Sequence, residues 1–100
     1  MATITKRDLV IRISNETGLT QQEVFNVVQS FIDEVTASLA SNDDVVLRNF
    51  GAFQVMKTRP KIGRNPNKPD AAVPIPARAV VKFRPGKELK ERVAKVLPEL

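Results

Sequence analysis

The sequence predicts an α+β chain: two helices at the N-terminus, a hairpin that lengthens into a two-stranded arm, and a short closing helix. Three observations predict it. The first 40 residues carry two helix start signals with helical apolar spacing; residues 45–55 alternate apolar and polar positions around a glycine; and cations recur at every second position from Lys57 to Lys61. One hundred residues, 42% apolar and 27% charged, suit one soluble domain over 1–100. Within it we expect a helical dimerisation base and first hairpin over 1–54, a β-arm over 55–82 and a C-terminal helix over 83–100.

Thr5 followed three residues later by Asp8 forms a capping box, and Leu9, Val10 and Ile13 supply one buried helical face. That helix should stop near Gly18, which tolerates a left-handed cap. Thr20 and Glu23 repeat the box, with Leu19 and Val24 placed as a hydrophobic staple. The second helix should run from about Gln21 to Ala40. Its apolar residues, Val24, Phe25, Val27, Val28, Phe31, Ile32, Val35 and Leu39, cover far more than a single stripe. A helix apolar on two sides is sandwiched, so one side should face its own chain and the other a second copy.

Ser41, Asn42, Asp43 and Asp44 mark a turn. Val45 and Leu47, then Phe53 and Val55, alternate as strands do, and Asn49-Phe50-Gly51-Ala52 is the turn candidate, with Gly51 supplying a permissive backbone. Lys57, Arg59 and Lys61 should share one face of an extended strand, and Val73 to Phe83 should return beside it. Gly63 to Asp70 reads as the turn between them. About nine residues per strand at roughly 3.3 Å each carry the tip some 30 Å out. Pro74 and Pro76 bring no ladder donors, so that side should face solvent or a ligand. An arm so poor in apolar residues is marginal alone and should be mobile until bound. Arg84-Pro85-Gly86 should open the last helix, from about Lys87 to Val96, with Leu89, Val93 and Val96 or Leu97 inside and Pro98 suited to its stop.

Charge is distributed unevenly. Residues 1–53 hold four basic and seven acidic residues, net −3, whereas residues 54–90 hold ten basic residues against Asp70 and Glu88, net +8, and the last ten are neutral. Three alternating cations alone describe a solvated strand face. Ten against two, without compensating acids, repel one another unless a polyanion screens them, and nucleic acid is the leading partner. A membrane surface would call for a basic amphipathic helix, which the stretch lacks.

Other classes find little support. The chain has no His, Cys, Trp or Tyr, so imidazole bases, thiolate nucleophiles, Cys/His metal sites and disulfides are absent. Four scattered glycines make no phosphate-cradling loop. No catalytic residue, metal, cofactor or small-molecule substrate is expected. No apolar run exceeds three residues, which argues against a transmembrane span or secretory core and for the cytoplasm. Phe50 and Phe53 read as core rather than as a stacking platform for single strands. Pro66 either shapes the turn or, at the end of a cationic arm beside Arg64 and Asn65, acts as an apolar wedge between base pairs.

From Thr5-Lys6-Arg7-Asp8-Leu9 through Phe50-Gly51-Ala52-Phe53 and Gly63-Arg64-Asn65-Pro66 to Phe83-Arg84-Pro85-Gly86-Lys87-Glu88-Leu89-Lys90, the chain resembles the bacterial histone-like family of HU and integration host factor. The resemblance implies an intertwined dimer with a helical base, and a three-stranded sheet extended into long β-hairpin arms that embrace and bend duplex DNA through its minor groove. By matching position it makes Pro66 the intercalating residue and Arg64 and Asn65 groove contacts. Lys57, Arg59, Lys61 and Lys68 would line the arm. Lys6, Arg78, Lys82, Arg84, Lys87 and Lys90 would hold phosphates along the flanks. Val24, Phe25, Val28, Phe31, Ile32, Val35, Leu39, Phe50, Phe53 and Phe83 would form core and dimer contacts. One departure stands out: Asn67 to Ala72 lacks the family's Thr-Gly return and is one residue longer. The expected role is a nucleoid-associated, DNA-bending homodimer, with pairing to a paralogue left open. A chaperone of RNA or single strands and a structural dimer gripping an acidic protein are the alternatives.

Overall fold

The computed structural model describes residues 2–65 and 68–100, with side chains described for all of these except 61–73. The chain divides into two compact units, Met1–Ala37 and Ser38–Leu100.

In the first unit, α1 (Lys6–Thr17) begins at a complete capping box. The Asp8 N–H donates to Thr5 Oγ1 at 3.3 Å, and the Thr5 N–H donates back to the Asp8 carboxylate at 3.0 Å. The helix ends at Gly18, whose φ of +76° lets its N–H reach the Ser14 carbonyl at 3.0 Å. Ser14 then donates its hydroxyl to the Leu19 carbonyl at 2.6 Å, fixing the connection to α2 (Gln21–Ala40). Thr20 caps α2: its Oγ1 accepts from the Glu23 N–H at 3.1 Å and donates to the Glu23 carboxylate at 2.9 Å.

Both helices match the expected bounds, but the apolar faces do not close. Val10 and Val24 are the buried apolar side chains among the described residues, at 4% and 2% exposure. Leu9 and Leu19, expected to face inward, are each 46% exposed. Phe25, Val27, Phe31 and Ile32 are exposed, and Val28, Val35 and Leu39 are half-buried. One chain leaves most of this helix's apolar surface in water.

In the second unit, β1 (Val45–Leu47), β2 (Gly51–Lys57) and β5 (Ala79–Pro85) form an antiparallel sheet in the order β1-β2-β5. The first turn lies earlier than expected. The Phe50 N–H bonds to the Leu47 carbonyl at 3.0 Å, and Asn49, not Gly51, takes the left-handed conformation at φ +68°. Gly51 belongs to β2, and its need for glycine is spatial. A Cβ there would sit 2.6 Å from the Phe83 ring and 2.7 Å from the Arg84 carbonyl oxygen.

Arg84 and Pro85 complete β5 rather than opening the last helix. Gly86 alone caps α3 (Lys87–Ala94), its N–H held by the Phe50 carbonyl at 2.8 Å. α3 stops two residues before Val96, and Pro98 lies inside a following single 3-10 turn, Leu97–Glu99. Leu89 is half-buried, whereas Val93 and Leu97 are 57% and 71% exposed.

β3 (Lys61–Asn65) and β4 (Lys68–Ile75) pair with each other as a separate two-stranded sheet. The strands extend through most of Gly63–Asp70, which composition assigns to a turn; only residues 66 and 67 intervene. The register jumps between Arg64↔Ala72 and Asn65↔Lys68, an irregularity of the ladder on the returning strand. Pro74 sits in β4 opposite Ile62, so the side that lacks its donor faces the neighbouring strand rather than solvent or a ligand as expected.

The expected continuous strands from Val55 outward and from Val73 back are each interrupted. The β2–β5 ladder ends at Lys57↔Ala79 and the β3–β4 ladder begins at Lys61↔Ile75, with the register unchanged across the gap. Pro60 and Pro76 fall within that gap, and neither can donate a ladder bond.

Candidate nucleic-acid interface

Side chains alternate across a sheet, so the register sorts β1, β2 and β5 into two faces. On one, Val45 faces Phe53, Phe53 faces Phe83, and Val55 faces Val81. The Phe53 and Phe83 rings lie 4.9 Å apart and the Phe50 and Phe83 rings 5.4 Å apart, both tilted, as aromatic pairs prefer. The three phenylalanines cluster instead of standing apart as stacking platforms. Phe50 and Phe83 are still 46% and 37% exposed, so this apolar face is only partly covered by its own chain.

The opposite face carries cations beside small and apolar residues. Ala52 pairs with Arg84 and Gln54 with Lys82, and both cations are exposed. Gln54 is absent from the sequence-derived candidates although its position between Phe53 and Val55 gives the signal: alternation puts it on the side away from the aromatics. Val46 and Met56 share this face at 74% and 45% exposure.

The remaining candidates are distributed along the chain. Lys57 closes β2 opposite Ala79, while Arg59 lies in the gap, so Lys57, Arg59 and Lys61 do not form one uninterrupted strand face as expected. Arg78 lies across from Thr58. The Thr58 N–H donates to the Arg78 carbonyl at 2.9 Å and the Arg78 N–H donates to the Thr58 hydroxyl at 3.0 Å. Thr58, Arg59, Ile75, Pro76 and Arg78 line a recess of about 260 Å³. Lys61, Arg64 and Asn65 have backbone positions in β3 and Lys68 in β4; their side chains, and Pro66 altogether, lie outside the described residues. Lys87 and Lys90 are exposed on the first turn of α3, where backbone N–H groups favour anions.

Lys6 is engaged within its own unit. Its ammonium donates to Gln29 Oε1 and stands 4.8 Å from the centre of the Phe25 ring, a cation–π distance. It opens α1 next to Asp8, whose carboxyl is held below the usual range by the Thr5 N–H first and the Thr5 hydroxyl second. Among the described residues no helix is long and apolar enough to cross a membrane, and no cluster of acidic residues is arranged to hold a metal.

Both the sequence and the fold are similar to those of known proteins. The family profile described as bacterial DNA-binding protein covers residues 4–94. The chain is 41% identical over 93 residues to the probable DNA-binding protein HU of Chlamydia trachomatis, covering 93% of each chain. It is 44% identical over 95 residues to the integration host factor subunit alpha of Haemophilus influenzae, covering 95% of this chain and 98% of the relative. The fold is similar to Anabaena HU in a cocrystal with DNA, with a TM-score of 0.82 at 29% identity over 90% of this chain and 97% of that one. HU from Thermotoga maritima gives 0.64 at 26% identity, over 89% and 97%.

Proposed function

The chain belongs to the bacterial DNA-binding protein family of HU and integration host factor, an architectural rather than enzymatic family, and from that premise we propose that it works as a homodimer whose two β-arms grip and bend duplex DNA through the minor groove. The observation that carries this reading is the division of the sheet. One face gathers Phe53 and Phe83 for burial, and the other offers Gln54, Lys82 and Arg84 to a polyanion. In this reading residues 1–54 form the dimerisation base, 55–82 the arm and 83–100 the closing helix. Two protomers bury the Phe25, Val28, Phe31, Ile32, Val35 and Leu39 surface of α2 in the interface between them.

Lys82 and Arg84 on the sheet, with Lys87 and Lys90 on α3, then neutralise phosphates below the arms. Lys57, Arg59, Lys61, Arg78 and Lys68 do so along them. Lys6 joins this set only by releasing Gln29. At the tip, Arg64 and Asn65 meet the acceptor-lined minor-groove floor, and Pro66 enters between base pairs. Smooth bending of a site costs roughly 1–6 kcal/mol, offset by the phosphate contacts that the curved path brings within reach. Such a protein resides on the nucleoid, in the cytoplasm.

The test separates bending from binding. In Pro66→Ala, measured with a duplex fluorescently labelled at both ends, the bend should relax while low-salt affinity changes little. Equal loss of both would reduce Pro66 to a turn-former and remove the wedge.

A further inference from the structure

We infer that residues 58–60 and 76–78 form a hinge inside the arm, made by two prolines facing each other across the ladder. Because the register is the same at Lys57↔Ala79 and at Lys61↔Ile75, Pro60 falls opposite Pro76. Bonded pairs alternate along an antiparallel ladder. The Gly86 N–H bond to the Phe50 carbonyl and the Thr58 N–H bond to the Arg78 carbonyl place the even-numbered positions of β2 at bonded pairs. Positions 60 and 76 would be the next bonded pair, and there both donors are missing.

The two ends of the gap are built differently. On the sheet side the Thr58 hydroxyl takes the Arg78 N–H, closing the β2–β5 ladder with a side chain instead of handing it on. On the far side the β3–β4 ladder starts afresh. Neither Pro60 nor Pro76 is packed away; both are exposed.

The type of motion follows from proline itself. Each ring fixes its own φ and keeps the preceding residue, Arg59 or Ile75, extended. The strands cannot fold up at the gap, but they are uncoupled across it. The joint therefore twists and bends the outer ribbon relative to β2–β5 without shortening the arm. Resting on the DNA-bending reading, the hinge lets one arm follow duplexes of different curvature, with Arg59 and Arg78 at the joint itself.

The experiment restores the donors with Pro60→Val, Pro76→Val and the double variant, valine being a good strand former. Amide hydrogen exchange in the free protein comes first. In the double variant the new amides at 60 and 76 should be protected, and exchange at the neighbouring bonded positions 58, 62 and 78 should slow by about tenfold, the scale of one or two added ladder bonds. Each single variant should give a smaller effect. Unchanged exchange in all three overturns the hinge, whatever happens with DNA. Affinities for straight, nicked and pre-bent duplexes come second. A stiffened arm should widen the ratio between the best and worst duplex by about tenfold relative to the parent. Slowed exchange with an unchanged ratio overturns the role in matching curvature. A parent protein that binds no duplex overturns the DNA reading and leaves the hinge standing on the exchange data.

Discussion

Gly51 shows how a glycine is required by what surrounds it rather than by its backbone. A methyl group there would meet both the Phe83 ring and the Arg84 carbonyl, and the carbonyl cannot step aside without moving β5. Gly51→Ala should therefore destabilise the fold by about 1–3 kcal/mol, the usual cost of overpacking, measured by urea denaturation with the slope unchanged. Asp8 gives a prediction of a different kind. Its folded carboxyl titrates below the ordinary aspartate value of about 3.9 because Thr5 donates to the charged form. A depressed carboxylate contributes stability that is present above its unfolded value and lost as pH falls through its folded one. Thr5→Val should move the Asp8 midpoint upward in an NMR titration, and Asp8→Asn should make the acid limb of the stability curve less steep below about pH 4. The family resemblance makes Lys6 a phosphate contact, and nothing in the linear pattern shows that Gln29 and Phe25, on the neighbouring helix, already engage it.

The elements were legible wherever a local signal decides them. Thr5, Gly18 and Thr20 each act through neighbours within four residues, and α1 and α2 came out with the bounds those residues imply. Thr20→Ala should cost about 1 kcal/mol through loss of the cap on α2, and Thr20→Ser should restore most of it, by thermal denaturation. The strand region was legible in period but not in punctuation. Asn49 and Gly51 both tolerate a left-handed turn, and only contact with Phe83 reveals that Gly51 is needed elsewhere. The charged alternation of Lys57, Arg59 and Lys61 suggested one strand. The interruption depends on which residue stands opposite Pro60, and that is a property of the register.

At the scale of the whole molecule, the uneven charge and the oversized apolar surface of α2 were both readable, because neither depends on exact placement. The tip was not readable beyond its residue types, since a glycine-free return offers no standard turn to match. If about six to ten phosphates are neutralised, affinity for duplex DNA should fall roughly 10³- to 10⁵-fold between 50 and 200 mM salt, and a flat titration would remove the electrostatic basis of the grip. Pairing should make thermal stability depend on protein concentration. Phe31→Ala should cost about 3–5 kcal/mol per site if its ring is covered on association, read by sedimentation together with melting. The scarcity of buried side chains in one copy also bears on the life of the protein in the cell. If the proposed pairing holds, an unpaired chain, whose buried apolar side chains among the described residues are Val10 and Val24, should be cut by proteases faster than the pair, so that survival would reward encounter and trim the supply to what finds a mate.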